Sequence, residues 1–400
     1  MKRMLQSIKK CKVYSRKKRG ADMKKLYESR QAPVSVRQRI YQNLYDKKSF
    51  CSRQTLAAEC GVSLPTLYQN LNELMHDGLV RYSGEEQSTG GRRAQGLEIV
   101  PDARIAAGIS VTEDTLRLVA SDLLLNELAY RSVPFDLYAF LDEKKKTTSL
   151  AEILSDFLDD FSLPREKLLG VGITIPGVLS PDHLRISIAP TLNLRDVPLS
   201  LLTDGIPYPV YADNDGSASG YAEGFIRGGA GNMAYISLEV GIGGAVMIGG
   251  VPYAGDNSRS GEFGHICVEP GGLKCSCGKL GCLEAYCSAK RIEDEFGVSL
   301  EEFFEGVEAH NPEYENLLYN MLRHLAKAIC SIRMTLDCDI VLGGFFSEYL
   351  QPYLPVLREY VIAENPFSEP ADFVQLSRLR KHITPLGAAL YHIRSFIADV

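Results

Sequence analysis

Gly261-Glu262-Phe263-Gly264-His265, followed by Cys275-Ser276-Cys277-Gly278-Lys279-Leu280-Gly281-Cys282-Leu283-Glu284, is the stretch on which the reading of this chain turns. One imidazole and three thiols, His265, Cys275, Cys277 and Cys282, fall within eighteen residues. That donor set suits tetrahedral Zn²⁺, whose borderline-soft character favours sulfur and nitrogen. Gly278 and Gly281 let the backbone fold tightly round an ion. With all four positions filled by protein groups, no place remains for a catalytic water, so the expected zinc is structural. Cys267 and Cys287 flank the group as alternative ligands, and a set of unrelated reduced thiols is the bland alternative.

Outward from this stretch the texture is strand–helix alternation. Ile105–Val111 and Leu116–Ala120 read as paired strands, Leu150–Phe161 as a helix, and Leu168–Ile175 as a buried strand ending in Pro176-Gly177. Met233–Leu238 and Ala245–Ile248 are further strands, Leu317–Leu336 a long helix, and Asp339–Gly344 a strand running into a turn. Alternation of this kind predicts a doubly wound α/β body.

The chain has 400 residues, 45% of them hydrophobic and 24% charged, which argues for several domains of ordinary globular composition. No run of about eighteen apolar residues occurs, so a membrane span is not expected. Residues 1–30 lack the apolar core of a signal peptide; a reducing, cytoplasmic compartment is expected for the ten cysteines.

Net charge is −6, but unevenly placed. Residues 1–100 hold 20 Lys and Arg against 9 Asp and Glu, a net of +11, and the other 300 carry −17. A basic head on an acidic body points to a polyanionic partner for the head. The tail, 1–32, reads as disordered, with a phosphate-contacting arm or a true start at Met23 as the other readings.

Residues 33–100 read as a winged helix-turn-helix. Val36, Ile40, Leu44 and Tyr45 recur at helical spacing. Ser52 can cap a short helix through Glu59, Gly61 supplies the turn, and Ser63 caps a second helix with Pro65 in its first turn. Leu67, Leu71 and Leu74 form its apolar stripe, leaving Pro65, Thr66, Gln69 and Asn70 off it. Leu79–Tyr82 and Gly96–Val100 would make the wing, with Arg92 and Arg93 at its root. Thr66 and Gln69 can bond base edges, while the two arginines suit phosphates or a minor groove; a solvated turn is their alternative.

The glycine–histidine and cysteine string resembles the signature of the ROK family, sugar-responsive repressors and sugar kinases on a two-lobed, actin-like (ribonuclease H-like) ATPase fold. The resemblance runs from about Ile105 to the C-terminus, and the head resembles the family's repressor branch. It implies a first α/β lobe over 101–212, completed by 384–400, and a second over 213–383 carrying the zinc site and helical insertions. It further implies a sugar pocket of Asn214, Asp215, Glu262, His265 and Glu284, with carboxylates and amide meeting vicinal hydroxyls. In kinases of the family the residue at Asp215 is the catalytic base, so here it is a vestigial base.

The kinase phosphate loops are altered. Ser110-Val111-Thr112-Glu113-Asp114-Thr115 stands where Asp-x-Gly-Gly-Thr is usual, and Glu239-Val240-Gly241-Ile242-Gly243-Gly244 carries a further acid. Glu113, Asp114 and Glu239 would repel a nucleotide's phosphates. Near the implied sugar, Thr191 and Leu194 replace an Asn and an aromatic. The expectation is a repressor of carbohydrate-utilisation genes, homodimeric or tetrameric, bound to operator DNA and tuned by a small sugar or sugar phosphate. The rivals are an ATP-dependent hexose or N-acetylhexosamine kinase and a protein-partner-binding regulator with a vestigial pocket.

Overall fold

The computed structural model describes residues 34–47, 51–85, 95–142, 148–229, 231–367, 369–379 and 381–400. The expected tail and both wing arginines, Arg92 and Arg93, lie outside them. The chain divides into two compact units: a head up to Val100 together with Arg394–Val400, and a body of Pro101–Ile393.

Among the described residues, three helices and a strand pair precede Val100 in the head. Helix α1 (Val36–Lys47) buries Ile40, Tyr41, Leu44 and Tyr45. Helix α2 (Arg53–Cys60) is capped by Ser52, whose hydroxyl accepts from Thr55 N, and ends at Gly61 in the left-handed region (φ 62°), where a side chain would be strained. Helix α3 (Leu64–His76) is capped by Ser63 and buries Leu67, Leu71 and Leu74. Strands β1 (Val80–Glu85) and β2 (Gln95–Ile99) pair antiparallel. Phe396 packs edge-on against Tyr41, and Gln38 Nε2 donates to Ala398 O.

Two five-stranded sheets form the body. The first has the order β10-β6-β3-β4-β5, built from β3 (Ile105–Val111), β4 (Thr115–Asp122), β5 (Glu127–Pro134), β6 (Leu168–Ile175) and β10 (Val210–Asn214). Strands β3, β4 and β5 are antiparallel neighbours, whereas β6 and β10 run parallel to β3. Its core includes Ile109, Leu118, Val171 and Ile173, with Leu154, Phe157 and Leu158 from helix α4 (Leu150–Asp160). A small sheet of β7 (Val178–Leu179), β8 (Arg185–Ala189) and β9 (Leu194–Pro198) follows β6.

The second sheet has the order β13-β12-β11-β14-β15, from β11 (Met233–Leu238), β12 (Ile242–Ile248), β13 (Val251–Pro252), β14 (Asp339–Gly343) and β15 (Val374–Leu376). Helix α6 (Pro312–Leu336) packs its long apolar face into this second core. Between the sheets comes helix α5 (Asp215–Ile226), which starts where β10 stops. The body part of helix α7 (Ile383–Asp399) lies so close to the first sheet that a Cβ on Gly172 would sit 2.0 Å from Ala388 O. The alternation predicts the mixed α/β character of this body, and the family resemblance its division into two sheets. No helix among the described residues is long and apolar enough to cross a membrane.

Candidate functional site

The junction of β10 and α5 fixes the first pair of residues. Asn214 caps α5: its Oδ1 accepts from Ser217 N at 3.0 Å, and its Nδ2 donates to Gly177 O at 3.0 Å. Both ends of the amide are therefore oriented, and the side chain also hydrogen-bonds the Asp215 carboxyl. Asp215 is partly buried and its Oδ1 accepts from Gly216 N at 2.8 Å. Burial, reinforced by the charge of Asp213, pushes its carboxyl above the ordinary range. Asp213 takes the phenol hydrogen bond of Tyr391 and accepts from Asn214 N at 2.8 Å. It anchors the turn from behind, a role the sequence did not reveal because Tyr391 lies 178 residues away.

The second group comes from the glycine–cysteine stretch. His265 Nδ1 lies 3.7 Å from Cys275 Sγ, and Cys277 Sγ lies 3.8 Å from Cys282 Sγ. The ligand atoms of His265, Cys275, Cys277 and Cys282 all fall within 4.8 Å of one another, a cluster that could hold a metal ion. Cys267 is exposed and outside this quartet; Cys287 is buried and its thiol donates to Met321 O at 3.1 Å. The other imidazole nitrogen, Nε2, stands 4.0 Å from Glu262 Oε2.

Glu284 bridges two loops. Its Oε1 accepts from Ser276 Oγ at 2.6 Å, and its Oε2 from Ile242 N at 3.2 Å. Burial pushes the Glu262 carboxyl up; His265 opposes this, while the charges of Asp215 and Glu284 add to it. The charges of Asp215 and Glu284 thus both act on Glu262, which brings three carboxylates into one acidic set. Such a set can accept hydrogen bonds from several hydroxyls at once. Ser276 was missed in the sequence because a serine between cysteines carries no pattern of its own.

The two altered loops differ in character. Asp114 Oδ1 accepts from Thr112 Oγ1 at 3.2 Å and Thr115 Oγ1 at 3.0 Å, closing a tight turn and holding its carboxyl below the usual range. Glu239, partly buried, is pushed up to about 7, chiefly by desolvation and then by Asp215. Beside the small sheet, Thr191 is exposed and Leu194 half-buried.

In the head, the polar residues of α3 divide. Ser63 Oγ is 2.8 Å from Thr66 Oγ1 and accepts from Thr66 N, and Asn70 Nδ2 donates to Thr66 O at 2.8 Å. Those groups are partly consumed by the helix itself. Pro65 and Gln69 are exposed, and among the described residues no side-chain hydrogen bond engages Gln69.

Residues 139–393 match the ROK family. The xylose repressor of Bacillus subtilis (strain 168) is 32% identical over 253 residues, 62% of this chain and 64% of the repressor. The chain therefore spans just under two thirds of that relative's length. A glucokinase of Halalkalibacterium halodurans is 30% identical over 239 residues, 54% of this chain and 72% of the enzyme. The crystal structure of a ROK family transcriptional regulator, a homolog of the E. coli MLC protein, superposes with a TM-score of 0.72 at 21% identity, over 90% of this chain and 96% of that one. With the family matched over more than half its length, the chain belongs to the ROK family.

Proposed function

We propose that this chain is a sugar-responsive repressor of carbohydrate-utilisation genes, acting in the cytoplasm as a homodimer or tetramer. The observation that carries the reading is the capped helix-turn-helix and strand pair of the head, joined to a body that keeps Asn214, Asp215, Glu262 and Glu284. Helix α3 would enter the major groove, with Ser63, Pro65, Thr66, Gln69 and Asn70 on its leading part and Arg92 and Arg93 on the backbone. A small sugar or sugar phosphate would occupy an acidic hollow formed by Asp215, Glu262 and Glu284, its hydroxyls donating to the carboxylates and meeting the Asn214 amide. To regulate, it must bind the DNA-competent and incompetent states with different affinity. The similarity to a xylose repressor supports this reading.

The cysteine cluster fits structural zinc. Around a tetrahedral ion two thiolates lie about 3.8 Å apart, and an imidazole nitrogen about 3.6 Å from a thiolate; the 3.8 and 3.7 Å separations here are close to these. His265, Cys275, Cys277 and Cys282 would hold the ion, which supplies cross-linking rather than chemistry. Through Ser276 it would also steady Glu284, and through His265 it would steady Glu262.

We infer that phosphoryl transfer is lost, because Glu113, Asp114 and Glu239 stand where a kinase of this family cradles phosphate. A kinase remains the second reading, favoured by Asp215 beside Asn214 and by the glucokinase relative. A protein-partner-binding regulator is the third. Selection of bound sequences from a random duplex pool, then binding of the winner with and without single monosaccharides, tests the proposal. A near-palindromic site whose affinity one sugar changes is expected. Sugar-indifferent binding, together with ATP-dependent sugar phosphorylation that Asp215→Asn abolishes, would replace it with the kinase.

A further inference from the structure

Arg53 is the first residue of α2, and its guanidinium carbon lies 5.3 Å from the ring centre of Tyr68 on α3 and 5.7 Å from that of Tyr82 on β1. Both distances fall within the range of cation–π attraction, about 6 Å. Its Nη1 also donates to Tyr68 Oη at 3.0 Å. The two rings are 42% and 43% exposed, so core packing does not account for them.

The neighbouring cations are used differently. Arg37 faces Glu73 and Asp77, Lys47 faces Glu59, and Arg81 faces Glu98. Among the described residues no carboxylate lies within ion-pair distance of Arg53. The first turn of α2 carries no acid either. A positive charge on α2 is therefore held in a fixed direction by rings from α3 and β1, with no acidic partner among the described residues. Among the described residues only Nη1 is engaged, which leaves four of the five guanidinium N–H donors for a planar fork that matches two oxygens of a phosphate.

We propose that Arg53, clamped by Tyr68 and Tyr82, seats one backbone phosphate of bound DNA between the second helix of the pair and the first strand of the wing. This rests on the DNA-binding reading and names a residue that reading did not contain. Stacking restricts the guanidinium before DNA arrives, so less freedom is lost on binding. The contact fixes register on the duplex and carries no base preference of its own.

The test is fluorescence anisotropy of the full chain on a labelled 30-base-pair duplex of mixed sequence, from 50 to 300 mM KCl. Arg53→Gln is expected to flatten the slope of log affinity against log salt by about 0.9 for each bound head, about 1.8 for a dimer, and to weaken binding about eight-fold per head at 0.1 M. Arg53→Lys restores the slope but not the full affinity, and Lys47→Gln, whose charge already faces Glu59, leaves the slope unchanged. The melting temperature of Arg53→Gln stays at the wild-type value. Wild-type binding with an unaltered slope in Arg53→Gln overturns the clamp alone. An equal flattening in Lys47→Gln also overturns it, since the slope then reads total charge. No wild-type binding at 50 mM KCl overturns the DNA-binding reading itself.

Discussion

Ser276 donates its hydroxyl to Glu284 at 2.6 Å, so a residue lying between two cysteines of the candidate metal cluster holds a carboxylate of the proposed sugar pocket. The same carboxylate accepts from Ile242 N, which ties the cysteine loop to the loop carrying Glu239. Structure and effector response should therefore be coupled at this one side chain.

Ser276→Ala removes that hydrogen bond without touching a ligand. A bond to a charged group is worth about 1.5–3 kcal/mol when buried, and Ser276 is exposed, so the low end applies. Sugar affinity should fall about five- to ten-fold, measured by calorimetry, with the metal content of the protein unchanged. Unchanged affinity would remove Ser276 from the account.

Elemental analysis should find one zinc per chain, and Cys282→Ser should lose it. Metal binding to such a site is folding free energy, so the variant should melt several degrees lower. It should also lose the stabilisation that sugar gives the wild type. A zinc-free protein with an intact sugar response contradicts the coupling.

Glu223 is fully buried and accepts from Arg227 Nε at 2.6 Å, Ser377 Oγ at 2.7 Å, Arg378 N at 2.9 Å and Leu379 N at 3.2 Å. Glu223→Ala leaves the Arg227 guanidinium, itself largely buried, without its partner. The expected loss is about 3–5 kcal/mol, read as a lower urea midpoint for the body. A loss under about 1 kcal/mol would show that the network is dispensable.

Glu239 offers a pH test. Its carboxyl is pushed up to about 7 from an ordinary 4.5, by burial first and Asp215 second. Between those values the folded chain binds a proton that the unfolded chain has released, so this group's contribution to stability falls as pH rises through the window. Glu239→Gln cannot ionise. Its melting temperature should gain on the wild type from pH 4.5 to 7 and keep that lead above pH 8. A constant difference across the whole range contradicts the assignment.

Much of this was legible in the sequence, and the reason is local chemistry. Ser52, Ser63 and Gly61 announce caps and a turn within a few residues of where they act, so the head could be read directly. The strands Leu168–Ile175 and Met233–Leu238 show as apolar runs bounded by turn residues. The four candidate ligands, which the structure gathers within 4.8 Å of one another, are equally local. What escaped is pairing at a distance: Tyr391 with Asp213, Ser377 with Glu223, Tyr82 with Arg53. No periodicity links such partners. Composition also tells what a side chain can bond, not what it already bonds, and so Thr66 and Asn70 looked freer than they are.

The central claim is that the acidic hollow receives a sugar, and titration calorimetry of wild type and Glu262→Ala against xylose, glucose, N-acetylglucosamine and N-acetylmannosamine tests it most directly. The account predicts saturable heat with at least one of the four for the zinc-loaded wild type, and at least ten-fold weaker binding for Glu262→Ala. Equal binding by both proteins, or no heat from any of the four, would contradict it.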